Sequence, residues 1–192
     1  IEQFRLKSSI EWVSKQLDFF SGNFLCGSIN IDGNKINTIS VYSPAWIVNP
    51  DSINYSEIKG IKLELAKQIW PTEILYSGLI NEKITVDKHW IIGGDFNSSP
   101  TFDTLWPGGP RGCQEIIDRL YALNLKESLH EHTKKLVPTF RNPKGGKIIH
   151  QIDHVYISEG LFSNLTSSNV LSELGVFENK LSDHYPILTV IN

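Results

Sequence analysis

Carboxylate, amide and imidazole side chains occur in three short groups along this chain, at residues 94–97, 151–154 and 182–185. Each group borders or interrupts an apolar segment, which is the pattern of a buried strand. An isolated group of this kind is usually an Asx turn or a cap. Three groups that share one core would bring several charges together, and their burial is unfavourable unless they pair or bind a cation. We therefore interpret them as parts of one site.

Side chains of these types suit the hydrolysis of a phosphate ester. Attack by water on an anionic phosphodiester requires neutralised phosphoryl oxygens, a base or acceptor for the water, and a stabilised leaving oxygen. Oxygen-rich carboxylate sites select Mg²⁺ or Mn²⁺, and either ion can meet the first and third requirements. A histidine held by an aspartate adds a positive or hydrogen-bonding group, and an asparagine donates to a phosphate oxygen without adding charge.

The elements that must position these groups are a mixture of strands and helices. Asp32-Gly33 lies between two alternating apolar runs and predicts a β-hairpin. The strands are predicted over residues 25–32, 36–42, 89–92, 147–158 and 185–191, and the helices over 57–70, 74–79 and 113–123. This mixture indicates one α+β domain with largely antiparallel sheets flanked by helices.

Two of the predicted elements end at residues that disfavour regular structure. Gly93-Gly94 is expected to end the strand before Asp95 in a tight turn. Pro71 is expected to break or kink the preceding helix. The apolar stripe of that helix is Ile58, Ile61, Leu65 and Ile69.

The composition is that of one ordinary globular domain. The 192 residues are 40% hydrophobic, and no apolar stretch approaches the length of a membrane span. A net charge of −3 and a pI of about 6.1 argue against nucleic-acid binding through bulk charge, although a local basic patch could still hold phosphates. Cys26 and Cys113 lack the spacing of a zinc site or a disulfide framework, and indicate buried thiols in a reducing compartment such as the cytoplasm.

The sequences GGDFNSSP, HQIDHVYIS and LSDHYPILTVI, in this order, resemble three successive signatures of the endonuclease/exonuclease/phosphatase superfamily. The segment that ends in Tyr42-Ser43-Pro44 resembles an earlier segment of the family, so the resemblance runs from about Leu25 to the end of the chain. Members include abasic-site endonucleases, pancreatic-type deoxyribonucleases, inositol polyphosphate 5-phosphatases and neutral sphingomyelinases. The resemblance implies a four-layer α/β/β/α sandwich of two mixed β-sheets with outer helices.

The same resemblance implies roles for the polar residues. Asp95 would orient or deprotonate the attacking water, or assist the leaving group. Asn97 would hold a phosphate oxygen. His184 would contact the scissile phosphate, while Asp153 bonds to its ring and fixes its tautomer.

Two further candidates are Tyr42, which would hydrogen-bond the phosphate, and Asp183, which would lie at or near the Mg²⁺ or Mn²⁺ ion. The family's principal metal ligand is a Glu, and it also has an Asn on its first strand; neither motif occurs in this sequence. We therefore expect a partial domain over residues 1–192 that misses N-terminal strands, binds metal poorly and has impaired activity. Ala45 stands where the abasic-site enzymes have an Asn, which weakens the resemblance to that subgroup.

Several residues outside the three groups are candidates for contact with substrate. His150 is a candidate to line the substrate cleft. Arg141, Lys144 and Lys147 are candidates for contact with substrate phosphate, although a plain solvated basic loop explains these three residues better. Trp46 and Trp106 flank the motifs, and would either stack on a base or sugar or pack in the core.

The sequence thus predicts a metal-dependent phosphoesterase that hydrolyses phosphodiester bonds, with DNA or RNA as the leading substrate class. A phosphatase or phosphodiesterase acting on an inositol phosphate or a lipid is the alternative. A catalytically silent binding module is the third. Intact Asp95, Asn97, Asp153, Asp183 and His184 argue against silence, because a silent relative would be free to lose several of them. No motif indicates a protein partner.

Overall fold

The computed structural model describes residues 1–58, 61, 68–84, 88–105, 109–142 and 147–192. The strands within these residues are β1 (Glu2–Phe4), β2 (Phe24–Ile31), β3 (Asn34–Tyr42), β4 (His89–Asp95), β5 (Leu125–Glu127), β6 (Phe140–Arg141), β7 (Ile148–His150), β8 (Asp153–Ser158), β9 (Leu165–Val170) and β10 (Ile187–Ile191). The α-helices are α1 (Glu11–Phe19), α2 (Pro71–Asn81), α3 (Pro100–Leu105), α4 (Cys113–Ala122), α5 (Ser128–Thr133) and α6 (Glu159–Phe162). Short 3-10 helices cover Pro50–Ser52 and Ser172–Leu174.

A six-stranded mixed sheet in the order β1-β2-β3-β4-β8-β5 forms the centre of the fold. Strands β3 and β4 run parallel, and the other pairs in this sheet are antiparallel. Strands β9 and β10 form a separate antiparallel pair, as do β6 and β7. The predicted α+β class, with a central mixed sheet and helices outside it, is confirmed. In the part of the chain that the structure describes, the second sheet is short and consists of β9 and β10.

One face of the six-stranded sheet, the core face, carries the main hydrophobic core. Alternation along β3 and β4 turns Ile39, Val41, Trp90 and Ile92 to this face, and each is at most 3% exposed. Helices α1 and α2 supply the facing apolar side chains, among them Trp12, Val13, Leu17, Ile74, Leu75 and Leu79. Burial of one such side chain is worth about 1.5–3 kcal/mol, so this core holds the central strands firmly.

The predicted β-hairpin at Asp32-Gly33 and the helix that begins at Cys113 are confirmed. Helix α2 covers the predicted stretch 74–79 and begins at Pro71. No helix runs into Pro71 from residues 68–70, in line with the predicted break. Pro71 needs no backbone N–H at the first position of a helix, and Glu73 caps the helix by accepting the Trp70 N–H at 2.7 Å. The preceding stripe has buried residues at Ile58, Ile61 and Ile69, whereas Leu65 lies outside the described residues.

Two strand predictions were wrong in their bounds. The strand expected to end at residue 92 continues through both glycines to Asp95. The single strand expected over 147–158 is two strands, because the chain leaves the β6–β7 pair after His150 and enters the central sheet at Asp153. Gln151 and Ile152, between them, are buried.

Both cysteines are buried and free, as predicted. Among the described residues, no helix is both long enough and apolar enough to cross a membrane.

Candidate active site

Three polar side chains form a row on the face of the central sheet opposite the core face, which we call the site face. Tyr42 pairs in register with Asp95 across β3 and β4, and Asp95 pairs with Asp153 across β4 and β8. Residues that are directly opposite on neighbouring strands point to the same side, with Cβ atoms about 5 Å apart. Val41, the neighbour of Tyr42, is buried on the core face, so the row lies on the other face.

Gly94 allows β4 to bring Asp95 into this row. It has a φ of +141°, and a Cβ at this position would lie 2.0 Å from the carbonyl oxygen of Val41. Only glycine fits such a close approach to the neighbouring strand in this conformation. The prediction of a turn at Gly93-Gly94 therefore failed because the second glycine serves close strand packing rather than chain reversal.

Asn97 holds the Asp95 carboxylate from two sides. Its backbone N–H donates to Asp95 Oδ1 at 2.8 Å, and its side-chain Nδ2 donates to Asp95 Oδ2 at 2.8 Å. The same Nδ2 also donates to the carbonyl oxygen of Ser43 at 2.8 Å. Asn97 has a φ of +46°, a left-handed conformation that asparagine tolerates better than most residues. Both amide hydrogens of Asn97 are thus engaged within the protein.

His184 joins the row from the segment before β10. Its Nδ1 lies 2.9 Å from Asp153 Oδ2 and 3.1 Å from Asp153 Oδ1, so this nitrogen donates to the carboxylate. Its Nε2 faces the other way and is 3.8 Å from Asp183 Oδ1. The structure therefore brings Asp95, Asn97, Asp153, Asp183 and His184 together, as the sequence predicted.

The electrostatics of the row follow from partial burial. The pKa of Asp95 is raised to about 6, chiefly by burial; the Asn97 N–H opposes the rise, and the nearby Asp153 carboxylate adds to it. The hydrogen bond to Asp153 raises the pKa of His184 above its usual value, against the effect of burial. The row thus combines a carboxylate that is easier to protonate than usual with an imidazole that holds its proton more firmly.

A cleft of about 430 Å³ opens beside the row, between β8 and the segment that precedes β10. Asp153, His184 and Tyr185 line it. The ring of Tyr185 stacks on that of Phe177, with centroids 3.8 Å apart, and Phe140 packs against the His184 ring with centroids at 5.1 Å. These aromatic contacts fix the wall that carries His184. The roles of Phe140 and Phe177 are not predictable from the sequence, because neither side chain has a polar group that would mark it as part of a site.

The remaining predicted contact residues lie around this centre. Tyr42 is 55% exposed at the end of its strand, next to Asp95 in register. His150 Nδ1 forms a hydrogen bond of 2.7 Å with the Thr101 hydroxyl, and burial lowers the pKa of His150. His150 is therefore tied to the α3 region rather than to the row. Arg141 is exposed, its backbone N–H donates to the Asp183 carbonyl oxygen at 2.9 Å, and its guanidinium lies over the ring of Phe177.

Of the two tryptophans near the motifs, Trp46 is 59% exposed, so it does not pack in the core. Trp106 and Lys144 lie outside the described residues.

The donor set suits a hard divalent cation rather than zinc. Asp95 and Asp183 offer carboxylate oxygens, and both cysteines are buried elsewhere. Within the described ranges, no group of three or more His, Cys, Asp or Glu side chains is arranged to hold a metal ion. Mg²⁺ commonly uses one or two carboxylates together with water and substrate phosphate, so two oxygen donors are compatible with it.

A second polar cluster lies on the core face, directly behind the row. Glu127, Gln151 and His154 are at most 3% exposed. His154 Nδ1 lies 3.7 Å from Glu127 Oε1, and its Nε2 donates to the carbonyl oxygen of Ser98 at 2.9 Å. Gln151 and His154 belong to the same sequence group as Asp153, but the sequence indicates no role for them, and no motif marks Glu127.

The sequence comparison agrees with this geometry. The family model described as Endonuclease/Exonuclease/phosphatase family matches residues 18–184. The chain belongs to this family. Among curated proteins, none matches the sequence.

Solved structures of nucleases and phosphatases share the fold of this family member. The 3′ phosphatase NExo from Neisseria, solved with a product DNA hairpin, has 18% identity and a TM-score of 0.59; the match covers 88% of this chain and 65% of NExo. The endonuclease domain of TRAS1, a telomere-specific non-LTR retrotransposon, has 19% identity and a TM-score of 0.55, over 88% of this chain and 64% of that domain. An AP endonuclease from Archaeoglobus fulgidus has 15% identity and a TM-score of 0.64; the match covers 100% of this chain and 72% of that protein.

Proposed function

We propose that this chain is the catalytic region of a metal-dependent phosphoesterase that hydrolyses phosphodiester bonds in a nucleic acid. The observation that carries the proposal is the Asp95–Asn97 pair beside the Asp153–His184 pair, at the ends of neighbouring strands and next to a cleft. Membership of the Endonuclease/Exonuclease/phosphatase family supports the reaction class. The chain spans 65% of NExo, so the activity of a complete protein of this kind is part of the proposal.

In this proposal, Asp95 is the base that activates water. Its raised pKa, about 6, makes its carboxylate a stronger base than an exposed aspartate. Water transfers a proton to Asp95 as its oxygen attacks phosphorus, the bond from phosphorus to the leaving oxygen breaks, and that oxygen takes a proton from solvent. Asn97 keeps the carboxylate in place through its two bonds at 2.8 Å.

His184 acts on the phosphoryl oxygens. Its Nδ1 is committed to Asp153, so Nε2 is the nitrogen that can donate to a phosphate. The raised pKa favours the imidazolium, which neutralises charge on a non-bridging oxygen as water attacks. Tyr42 stands at the exposed end of the row and can donate a further hydrogen bond to the same phosphate.

The predicted contact between Asn97 and phosphate needs revision within this mechanism. Both hydrogens of its Nδ2 are already donated, one to Asp95 and one to the Ser43 carbonyl oxygen. A contact with phosphate would require that one of these bonds be given up. We therefore assign Asn97 chiefly to the orientation of Asp95.

Mg²⁺ or Mn²⁺ held through Asp183 would supply positive charge to the phosphoryl and leaving oxygens. The distance of 3.8 Å between Asp183 Oδ1 and His184 Nε2 supports this role, because Nε2 is the nitrogen proposed to contact the phosphate.

Nucleic acid is the proposed substrate class because of the structural neighbours. NExo was solved with a DNA hairpin product, and TRAS1 and the Archaeoglobus protein are described as endonucleases. The net charge of −3 indicates that affinity would come from local cations such as Arg141 rather than from bulk charge.

The test is a plasmid-nicking assay on this protein, with Mg²⁺ and with EDTA. We expect slow cleavage with Mg²⁺, none with EDTA, and a rate at least 100-fold lower for His184→Ala, because one preorganised donor to the developing charge typically contributes about 10²–10³-fold. His132→Ala is the matched control, since His132 is exposed on α5.

Parallel assays with an inositol phosphate and with bis(p-nitrophenyl) phosphate test the substrate class. Turnover of the inositol substrate without plasmid cleavage would reject the nucleic-acid assignment. Unchanged cleavage in His184→Ala would reject the mechanism.

A further inference from the structure

The residues around Asn97 contact a histidine that lies behind the active-site row. His154 follows Asp153 in β8, and it pairs in register with Gly94. Because side chains alternate along a strand, Asp153 points to the site face and His154 to the core face. His154 is 2% exposed, so substrate cannot reach it. Any effect of His154 on the reaction must therefore be transmitted through its neighbours.

His154 contacts the chain on both sides of Asn97. Its Nε2 donates to the carbonyl oxygen of Ser98 at 2.9 Å, and its ring meets Phe96 edge-on, with centroids 5.6 Å apart. Since a carbonyl oxygen only accepts, Nε2 must carry the hydrogen in this contact. One buried ring thus holds the residue before Asn97 and the residue after it.

The other edge of the ring is also held. Nδ1 lies 3.3 Å from the side-chain Nε2 of Gln151, and the orientation of that amide is set because its Oε1 accepts the Val137 N–H at 2.9 Å. Glu127 Oε1 lies 3.7 Å from the same Nδ1. Neighbours on both nitrogens therefore fix the plane of the imidazole.

The turn at residues 95–98, which His154 contacts, has a strained backbone that other contacts must hold in place. Asn97 is in the left-handed region, with a φ of +46°, which costs about 1 kcal/mol or more for a residue with a side chain. Its backbone N–H must stay in place to hold Asp95 Oδ1. A displacement of about 1 Å in a catalytic group can lower a rate by about 100-fold.

We propose that His154 is a positioning residue, whose Nε2–H bond to the Ser98 carbonyl holds the Asp95–Asn97 turn in its active geometry. The effect on catalysis rests on the function proposed above, whereas the effect on the turn itself does not. His154 acts through Ser98 and Phe96 and touches neither substrate nor metal.

Two substitutions of His154 separate the two ring nitrogens. In His154→Gln, the amide nitrogen occupies the place of Nε2 and can still donate to the Ser98 carbonyl. In His154→Asn, the amide nitrogen occupies the place of Nδ1, and the bond to Ser98 is lost. Should the Asn variant not fold, His154→Leu removes both nitrogens and leaves an apolar side chain beside Phe96 and Tyr156.

The first readout is hydrogen exchange of individual amides in the ligand-free protein. The Asn97 amide, which donates to Asp95, reports on the turn, and the Ile39 amide in the core strand β3 reports on global opening. We expect the Asn97 amide to exchange about tenfold faster, relative to Ile39, in the Asn or Leu variant and to stay within about threefold of wild type in the Gln variant. Equal protection of Asn97 in all variants, or loss that parallels Ile39, would overturn the proposal.

The second readout is the steady-state kinetics of nicking. We expect kcat to fall about 10–100-fold in the Asn or Leu variant with KM within about threefold, and the Gln variant to recover most of kcat. Equal loss in the Gln and Asn variants would contradict the role of Nε2. If the wild-type protein cleaves no phosphate ester, the proposed function fails, yet the exchange measurement still decides whether His154 holds the turn.

Discussion

Neighbouring residues of β8 take part in two histidine–carboxylate pairs that lie on opposite faces of one sheet. On the site face, Asp153 binds His184 at 2.9 Å, and the two side chains are 16% and 27% exposed. On the core face, His154 faces Glu127 at 3.7 Å, and these side chains are 2% and 4% exposed. A histidine and a carboxylate thus occur in an accessible pair (Asp153–His184) and in a sealed pair (Glu127–His154). Access to solvent, rather than chemistry, separates a candidate catalytic group from a structural one.

The sealed pair compensates for its burial through backbone contacts. Glu127 Oε2 accepts the His130 N–H at 2.5 Å, and its Oε1 accepts the Val155 N–H at 3.4 Å. Burial raises the pKa of Glu127, but His154 and these N–H groups lower it by more, so the carboxylate stays ionised. Glu127 therefore links the end of β5 and the start of α5 to β8.

The largest difference between the pairs should appear in stability. Glu127→Ala leaves a buried histidine without its anion and two backbone N–H groups without their acceptor, so we expect the free energy of unfolding to fall by about 3–5 kcal/mol. Asp153→Ala, the matched change on the site face, should alter it by no more than about 1 kcal/mol, because water reaches this pair. Urea unfolding of both variants measures the contrast. Equal losses would show that burial does not distinguish the two pairs.

The nicking rate should depend more on the accessible pair than on the sealed pair, the reverse of the order expected for stability. Asp153→Asn removes the charge that orients His184 and favours its protonated form, so we expect the nicking rate to fall about 100-fold, equivalent to about 2.7 kcal/mol. Glu127→Gln should change the rate by no more than about threefold, because the bond from His154 to Ser98 is retained. The ratio of the two rates under identical Mg²⁺ conditions is the measurement. A larger loss of rate in Glu127→Gln than in Asp153→Asn would show that the catalytic role belongs to the sealed pair and not to the accessible pair.

The sealed pair also predicts a pH dependence whose sign one mutation should invert. Burial lowers the pKa of His154, but the Glu127 carboxylate and the Ser98 carbonyl raise it by more, so the folded-state pKa lies above the usual value. Protonation of Nδ1 turns it from the Gln151 amide nitrogen, a donor, towards the Glu127 carboxylate. The stability from this histidine is then complete below a pH of about 6.5 and is lost as the pH rises through the folded-state pKa. In Glu127→Gln, burial dominates and lowers the pKa, so stability should rise with pH through this range.

The difference between wild type and Glu127→Gln in the slope of the unfolding free energy from about pH 6 to pH 8, measured without metal, tests the inversion, because Asp95 and His184 contribute to both slopes alike. One proton contributes at most about 1.4 kcal/mol per pH unit. At lower pH, the stability that Glu127 contributes is present above its usual pKa and is lost as the pH falls through the folded-state value. Identical slopes in wild type and Glu127→Gln would mean that His154 is neutral in both.

The smallest expected effect concerns substrate contact near the accessible pair. Arg141→Ala should raise KM for DNA by up to about tenfold, or about 1.4 kcal/mol, with kcat unchanged, because an exposed guanidinium contributes through screened attraction to phosphate. The backbone N–H of residue 141 would still donate to the Asp183 carbonyl oxygen. The difference from wild type should shrink as salt is added, and a salt-independent difference would indicate a structural role.

Local signals in the sequence were sufficient for some elements and not for others. The Asp-Gly hairpin and helix α4 follow from short-range pattern, and both are present. Strand β9, with the sequence LTSSNV, was missed because it lacks an apolar stripe. Its Ser168 is buried in a hydroxyl cluster with Ser128 and Thr189, at 2.9–3.1 Å, and such partners 40 and 21 residues away leave no local trace.

The break between β7 and β8 at Gln151 is a second feature that the local sequence pattern does not predict. The apolar pattern of residues 147–158 is continuous, yet the chain passes from one sheet to another inside it. The passage is stabilised by contacts from a distant segment, since Thr139 Oγ1 accepts the N–H groups of Ile152 and Asp153 at 3.2 Å. A periodicity reports which side chains are apolar but not which strand they will pair with.

What the sequence determined by itself was the set of reactive groups, their attachment to strand ends, and, through alternation, that Asp153 and His154 point to opposite faces. Only the tertiary structure decided which carboxylate each histidine meets: Asp153 and His184 are 31 residues apart, and Glu127 lies 27 residues before His154. The pairing and the burial of these side chains depend on how the whole chain folds, because each contact stabilises the protein only after distant segments have been brought together.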